Sequence, residues 1–506
     1  MNIRKICLLC IALLVGNTLV AQHRPNIVFI YADDLGYGDL SCYGATKVNT
    51  PHIDALAKDG LKFLNAFATS STCTPSRYSL LTGQYAWRES GTGIAPGNAA
   101  LIIPTDMNTL PKMLQQAGYK TGIVGKWHLG LGTEAGINWN KEIKPGPLET
   151  GFDYCFVIPA TADRVPTVYL ENRHIVNLDS TDPLAVDYEK KVGDEPTGAE
   201  NPELLKMKLS EGHAQTIVNG ISRIGYMSGG QRARWKDEDI ALDITQKSID
   251  FIDTHQEQPF FLMLATNDIH VPRSPNEIFI GKSGMGPRGD AILQLDWTVG
   301  EVVKALDSLE LTEKTLIIVS SDNGPVLDDG YADFANELLN EHQPAGGYRG
   351  GKYSAYDAGT RVPFIVYWPS NIRPGISRAH LSQVDLYASL AELTQQKLAA
   401  NDAPDSFALS DALMGQERSS GREHIVQHAL SGALSLIRGD WKYIEPVAGP
   451  KTQPVTKIEL GNSTVPQLFN LADDRSEQTN LYRDYPEKLQ EMENLLKQIK
   501  SKSLNR

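Results

Sequence analysis

Apolar residues in this chain fall into two recurring arrangements. Unbroken runs rich in β-branched and aromatic side chains occupy 25–31, 61–68, 119–124, 259–265, 315–320 and 361–367. Such runs predict strands buried on both faces, as in a parallel sheet. Between them, apolar residues recur at helical spacing. Ile53, Leu56 and Ala57 share one face of a helix from Pro51 to about Lys58, opened by Thr50. Further helices are predicted over 109–117 with Gly118 at the close, 237–254, 289–306, and from Gln383 onward. Strands alternating with helices predict an α/β domain.

Two stretches break the alternation. Residues 131–235 hold many Gly, Pro and charged residues with little periodicity, as expected of long loops decorating a sheet edge. Near residue 397 the character changes. A polar stretch over 401–420 leads to short strand-like runs at 424–427, 434–438, 441–444 and 467–471. A helix over 486–500 closes the chain, with Leu489, Met492, Leu496 and Ile499 on one stripe. The division is therefore 22–396 for a catalytic domain and 397–506 for a small α+β subdomain with an antiparallel sheet.

Residues 1–21 read as a secretory signal peptide. Arg4 and Lys5 precede an apolar run from Ile6 to Val15, and Leu19-Val20-Ala21 fits a cleavage site. The run is short for a membrane anchor, so the protein is expected to be exported, periplasmic or secreted. Removal of Cys7 and Cys10 would leave Cys42, Cys73 and Cys155, too few for a disulfide scaffold. The net charge of −13, without a long Lys/Arg run, argues against a nucleic-acid binder but leaves room for a locally positive anion site.

Polar chemistry clusters where the predicted strands end. Asp33-Asp34 follow the first strand, at the edge where open α/β sheets bind ligands. Adjacent carboxylates there are costly unless neutralised, and a divalent cation is the simplest partner. Asp39 is assigned to the following turn. Gly125-Lys126-Trp127-His128-Leu129-Gly130 follows another strand, Asn267-Asp268-Ile269-His270 a third, and Ser321-Asp322-Asn323-Gly324 a fourth. Asp and Asn oxygens suit a hard cation, and oxygen donors without His or Cys favour Ca²⁺ over Zn²⁺. In Cys73-Thr74-Pro75-Ser76-Arg77-Tyr78-Ser79-Leu80-Leu81-Thr82-Gly83, Thr74 is the expected N-cap, Pro75 the first helical residue and Gly83 the left-handed close. That places Cys73 just ahead of a helix N-terminus, with Arg77 aimed at the same anion site.

This last stretch resembles the type I sulfatase signature, Cys-x-Pro-Ser-Arg followed by Leu-Thr-Gly, and Gly-Lys-Trp-His-x-Gly resembles a second motif of that family. The resemblance, nearest to the arylsulfatase A and N-acetylgalactosamine-6-sulfatase group, spans nearly all of the mature chain. It implies an alkaline-phosphatase-like sandwich, with a large mixed, mostly parallel sheet between helices. It also implies a sulfuric ester hydrolase in which a formylglycine-generating maturation enzyme converts Cys73 to Cα-formylglycine. By the same resemblance, Asp33, Asp34, Asp322, Asn323 and the modified Cys73 hold Ca²⁺. Arg77, Lys126 and Lys352 surround the sulfate, His270 with Lys352 protonates the leaving alcohol, and His128 takes a proton from the hydrate. Within the irregular stretch, Asp163, Arg164, His174 and His213 are polar groups suited to a sugar.

A sulfated carbohydrate of mucin or glycosaminoglycan type fits the long edge loops and the export signal, with a 6-O-sulfate on galactose or N-acetylgalactosamine as the expected bond. Two other readings stand beside this one. The first is a phosphate or phosphonate monoester hydrolase of the alkaline phosphatase superfamily, against which the missing His-rich metal pattern speaks. The second is an inactive homologue that binds sulfated glycans.

Overall fold

In a computed structural model of the chain, residues 24–134, 136–416, 419 and 421–501 are described. The expected signal peptide lies outside them.

Ten strands form one sheet. In chain order they are β1 (Asn26–Ala32), β2 (Leu61–Phe67), β3 (Lys120–Lys126), β4 (Tyr154–Ile158), β5 (Leu170–Glu171), β6 (His174–Ile175), β7 (Phe260–Ala265), β8 (Thr315–Ser321), β9 (Phe364–Tyr367) and β10 (Gly375–Ser382). Across the sheet they lie in the order β10-β2-β9-β8-β1-β7-β3-β4-β5-β6. The central block β8-β1-β7-β3-β4 is parallel throughout. Antiparallel pairings flank it, between β8 and β9, β9 and β2, and β4 and β5.

The period of two along a strand divides the core. Ile27, Phe29 and Tyr31 of β1 face one hydrophobic cluster, Val28, Ile30 and Ala32 the other. Helices α2 (Cys73–Thr82), α3 (Leu110–Gln116) and α6 (Leu386–Leu393) cover the first face, through residues such as Leu80, Leu114 and Leu390. Helices α1 (Pro51–Asp59), α4 (Ile240–Thr254) and α5 (Gly286–Ser308) cover the second, through Ile53, Ile244 and Leu295. The result is the expected sandwich. Among the described residues no helix is long and apolar enough to cross a membrane.

The C-terminal strands β11 (His424–His428), β12 (Leu434–Arg438), β13 (Trp441–Ile444) and β14 (Gln467–Asn470) make a four-stranded antiparallel sheet. Helix α7 (Pro486–Ser501) packs Met492, Leu496 and Ile499 against it. Beneath this sheet the fully buried Lys442 ammonium stands 3.0 Å from Glu477 and 3.7 Å from Asp357. Asp357 in turn pairs with Arg361 at 2.5 Å. Cys42, Cys73 and Cys155 are all free thiols.

Two local expectations are corrected. Helix α2 begins at Cys73, not after it, and Thr72 is its N-cap, without a side-chain hydrogen bond. Thr74 instead donates its hydroxyl to the His128 carbonyl and accepts from the Ala95 N–H, so tertiary partners displaced the local cap. Residues 131–235 also supply β4, a full member of the parallel block.

Candidate active site

The site assembles at the C-terminal ends of β1, β3, β7 and β8. Asp33 and Asp34 follow β1, Asp322 and Asn323 follow β8, and Lys126 closes β3 ahead of His128. The loop after β7 carries His270. The register that pairs Ala32 with Ser321 sets the two acidic pairs side by side. Carboxylate oxygens of Asp33, Asp34 and Asp322 lie within 4.8 Å of one another. Asn323 closes the set by donating its amide N–H to Asp34 Oδ1 at 2.7 Å. All four are fully buried, and among the described residues the Oδ1 atoms of Asp33 and Asn323 have no hydrogen-bond partner. Buried oxygens from four neighbouring side chains, two of them orphaned, are a donor set suited to a hard divalent cation.

Cations ring these oxygens. Lys126 Nζ lies 2.6 Å from Asp33 Oδ2. Arg77 reaches Asp322 Oδ2 through Nε at 3.0 Å and Nη2 at 2.8 Å, and donates through Nη1 to the Lys126 carbonyl. Its guanidinium also stacks over Tyr31, 5.1 Å from the ring centroid. Arg77 is thus anchored beneath the site by a carboxylate rather than standing free at the helix N-terminus. Lys352 Nζ lies 2.8 Å from Asp34 Oδ2 and 3.0 Å from Asp329 Oδ2.

Charge and burial set the protonation of these groups. Burial alone would raise Asp34, but the Lys352 and His270 charges hold its carboxyl well below the usual range. Asp33 moves the other way, pushed up by burial and by the Asp322 charge against the pull of Lys126. Burial also pushes the Cys73 thiol up to about 11. An unmodified thiol here stays protonated at neutral pH and is a poor nucleophile. His270 is pushed down to about 4 by burial and the Lys352 charge. His128 is likewise held neutral, by burial and then by Lys126. His128 Nε2 pairs with the Ala95 carbonyl at 2.8 Å, leaving Nδ1 buried and without a partner among the described residues.

Above this floor opens a cavity of about 200 Å³, lined by Cys73, His128, His270 and Lys352. Asp163, Arg164 and His213 line it too. Asp163 binds Arg164 Nη1 at 3.0 Å and His213 Nε2 at 3.1 Å. Burial opposes ionisation of Asp163, yet Arg164 and His213 hold its carboxyl well below the ordinary value. His174 is not brought to the site; it is exposed in β6 at the end of the sheet. Asp39 is buried in its turn, where it accepts from Gly36 and pairs with Arg288 and His342.

Sequence reading missed Ile94, Ile224, Asp329, Tyr353, Gln453 and Val455, which also line the cavity. Asp328-Asp329-Gly330 has the composition of an ordinary turn. Nothing local marks Gln453 and Val455, which arrive from the subdomain through tertiary packing.

An α/β sandwich with paired acidic residues at adjacent strand ends, and a cysteine helix facing them, defines a class of ester hydrolases. This chain belongs to the sulfatase family and is an enzyme of that class: residues 25–396 match the family model. It is 57% identical over 481 residues to the N-acetylgalactosamine-6-O-sulfatase of Bacteroides thetaiotaomicron, covering 95% of this chain and 94% of that one. It is 32% identical to human arylsulfatase A over 418 residues, covering 81% and 71% of the two chains. A solved structure from work on glycosaminoglycan metabolism by B. thetaiotaomicron superposes with a TM-score of 0.94 at 57% identity, over 95% of this chain and all of the other. The phosphonate monoester hydrolase of Agrobacterium radiobacter shares the fold alone, at 18% identity and a TM-score of 0.58.

Proposed function

We propose that this sulfatase removes O-sulfate from a sulfated carbohydrate of mucin or glycosaminoglycan type, acting on the 6-O-sulfate of galactose or N-acetylgalactosamine. The observation that carries the reading is the placement of Asp163, Arg164 and His213 on the wall of the cavity that holds Cys73. Carboxylate, guanidinium and imidazole together suit the hydroxyls of a sugar whose sulfate rests on the cationic floor. The 57% identity to a relative named for N-acetylgalactosamine-6-O-sulfate supports the same choice.

The residues fit a bound Ca²⁺, with Asp33, Asp34, Asp322 and Asn323 as its oxygen donors and Cys73 completing the set after modification. Such an ion would supply charge neutralisation for the sulfate. Cα-formylglycine, made from Cys73 by a maturation enzyme, would supply a hydrated aldehyde as nucleophile in place of the thiol.

The chain's other residues then have separate tasks. Arg77 and Lys126 hold positive charge under the sulfate oxygens, fixed by Asp322 and Asp33 so that little reorganisation accompanies reaction. Lys352, kept charged by Asp34 although burial opposes it, is the proton source for the leaving alcohol. His270 bonds the Val271 carbonyl through Nδ1 at 2.6 Å, so the nitrogen left to pass that proton on is Nε2, 3.7 Å from Asp34 Oδ2. His128, neutral and with Nδ1 lacking a partner among the described residues, accepts a proton when the nucleophile is regenerated. The catalytic domain is 22–396, the subdomain 397–506, and the protein is exported to the periplasm or beyond.

The test is a panel of sulfated mono- and disaccharides differing only in sulfate position, scored by free sulfate. Release from 6-O-sulfated galactose or N-acetylgalactosamine is expected. Release only from another ring position would overturn the regiochemistry. Binding without release would favour a glycan-binding homologue, and faster cleavage of a matched phosphate ester would refute the reaction class.

A further inference from the structure

We infer that Asp329 and Tyr353 form a clamp that positions Lys352 for proton delivery to the leaving alcohol. The inference rests on the sulfated-sugar reading above. Lys352 carries a compact charge on a flexible four-carbon stem, so its direction must be imposed from outside. Two of its three N–H donors are accounted for. One meets Asp34 Oδ2 at 2.8 Å on the floor, and one meets Asp329 Oδ2 at 3.0 Å on the wall. The third is left for the cavity.

Asp329 is itself held. The Tyr353 hydroxyl donates to Asp329 Oδ2 at 2.9 Å and stands 3.3 Å from Oδ1. The Tyr353 ring flanks the same ammonium, with Lys352 Nζ 5.3 Å from its centroid. The Asp34 carboxylate, the Asp329 carboxylate and the Tyr353 ring thus enclose one cation from three sides.

The backbone of Tyr353 is unusual in the same direction. Its φ is +77°, in the left-handed region that large side chains rarely enter. The conformation is pinned from both sides, since the Tyr353 N–H donates to the Ser71 carbonyl at 2.7 Å and its carbonyl accepts from Leu430. Strain of this kind persists where the surroundings over-determine it, commonly at functional sites. Here it turns the ring onto Lys352. Oxygens of Asp34 and Asp329 and a ring nitrogen of His270 also lie within 4.8 Å of one another, so the clamp adjoins the proton relay.

A positioning residue should act on turnover more than on substrate binding. With a 6-O-sulfated N-acetylgalactosamine as substrate, Asp329→Asn should lower kcat about 10–100-fold with KM within about twofold. Asp329→Glu, which keeps the charge, should recover part of that loss, and Tyr353→Phe should lower kcat in the same direction by less. Melting curves of the calcium-loaded variants check that each one folds, and Tyr353→Phe, which removes a single oxygen, keeps the test open if Asp329→Asn does not. A kcat within twofold of the parent in the folded variants, or a loss confined to KM, would overturn the clamp. Failure of the unmutated enzyme on every 6-O-sulfated sugar would instead overturn the substrate reading.

Discussion

Gly330 lies flat against His213: a Cβ on this glycine would stand 2.1 Å from His213 Nδ1. Its φ of +102° adds a second reason for glycine there. The loop carrying Asp329 is thereby packed onto the loop carrying His213, and the Ser210 N–H, which donates to the Gly330 carbonyl, stitches the two together. Gly330→Ala must push the imidazole away from Asp163. A KM for the sulfated sugar raised about tenfold, with a smaller change in kcat, is the expected outcome in steady-state kinetics. An unchanged KM would show that His213 takes no part in sugar binding.

Cys73→Ala should abolish sulfate release, because the buried thiol is the sole precursor of the proposed nucleophile. Expression without the maturation enzyme should have the same effect. Intact mass of the active protein should show conversion of thiol to aldehyde in the peptide containing Arg77. Full activity from unconverted cysteine would exclude the mechanism.

Removal of divalent cations should leave three mutually close carboxylates whose charge is balanced by the neighbouring Lys126, Arg77 and Lys352. Exhaustive chelation is expected to stop turnover and lower the melting temperature, and calcium should restore both in a concentration-dependent way. Turnover that survives chelation would argue against the proposed donor set.

The Lys442–Glu477–Asp357 group gives a pH dependence. Burial, against the pull of Lys442, raises the Glu477 carboxyl from its ordinary 4.5 to about 7. The folded state therefore holds this proton more tightly than the unfolded chain. The resulting stabilisation is complete below pH 4.5 and is lost as pH rises to about 7. Glu477→Gln mimics the protonated form and should gain on the parent across that window, by about 1–3 kcal/mol. Paired thermal melts at stepped pH measure it, and a difference that moves the other way would refute the assignment.

These dependencies differ in how far the sequence announces them. Asp33-Asp34, Asp322-Asn323, Lys126 and His128 were legible because buried parallel strands are unbroken apolar runs, and polar residues just past their ends stand out. The Cys73 helix was legible as an element, while its N-cap was not, since Thr74 answers to Ala95 and His128 from distant parts of the chain. Strand β4 was hidden in a region whose surroundings are irregular. Strand β10 was hidden because Gly375, Ile376 and Arg378 lie exposed at the sheet edge, where no apolar run is required. Asp329 and Tyr353 acquire their roles only through contacts with Lys352.

The four strand ends that carry the chemistry are drawn from β1, β3, β7 and β8, which span almost three hundred residues of chain. No contiguous fragment short of that span can carry a dilute or weakened version of the centre. During refolding, recovery of sulfate release should therefore trail recovery of helical signal, making catalysis itself a late reporter that the middle of the sheet has zipped shut.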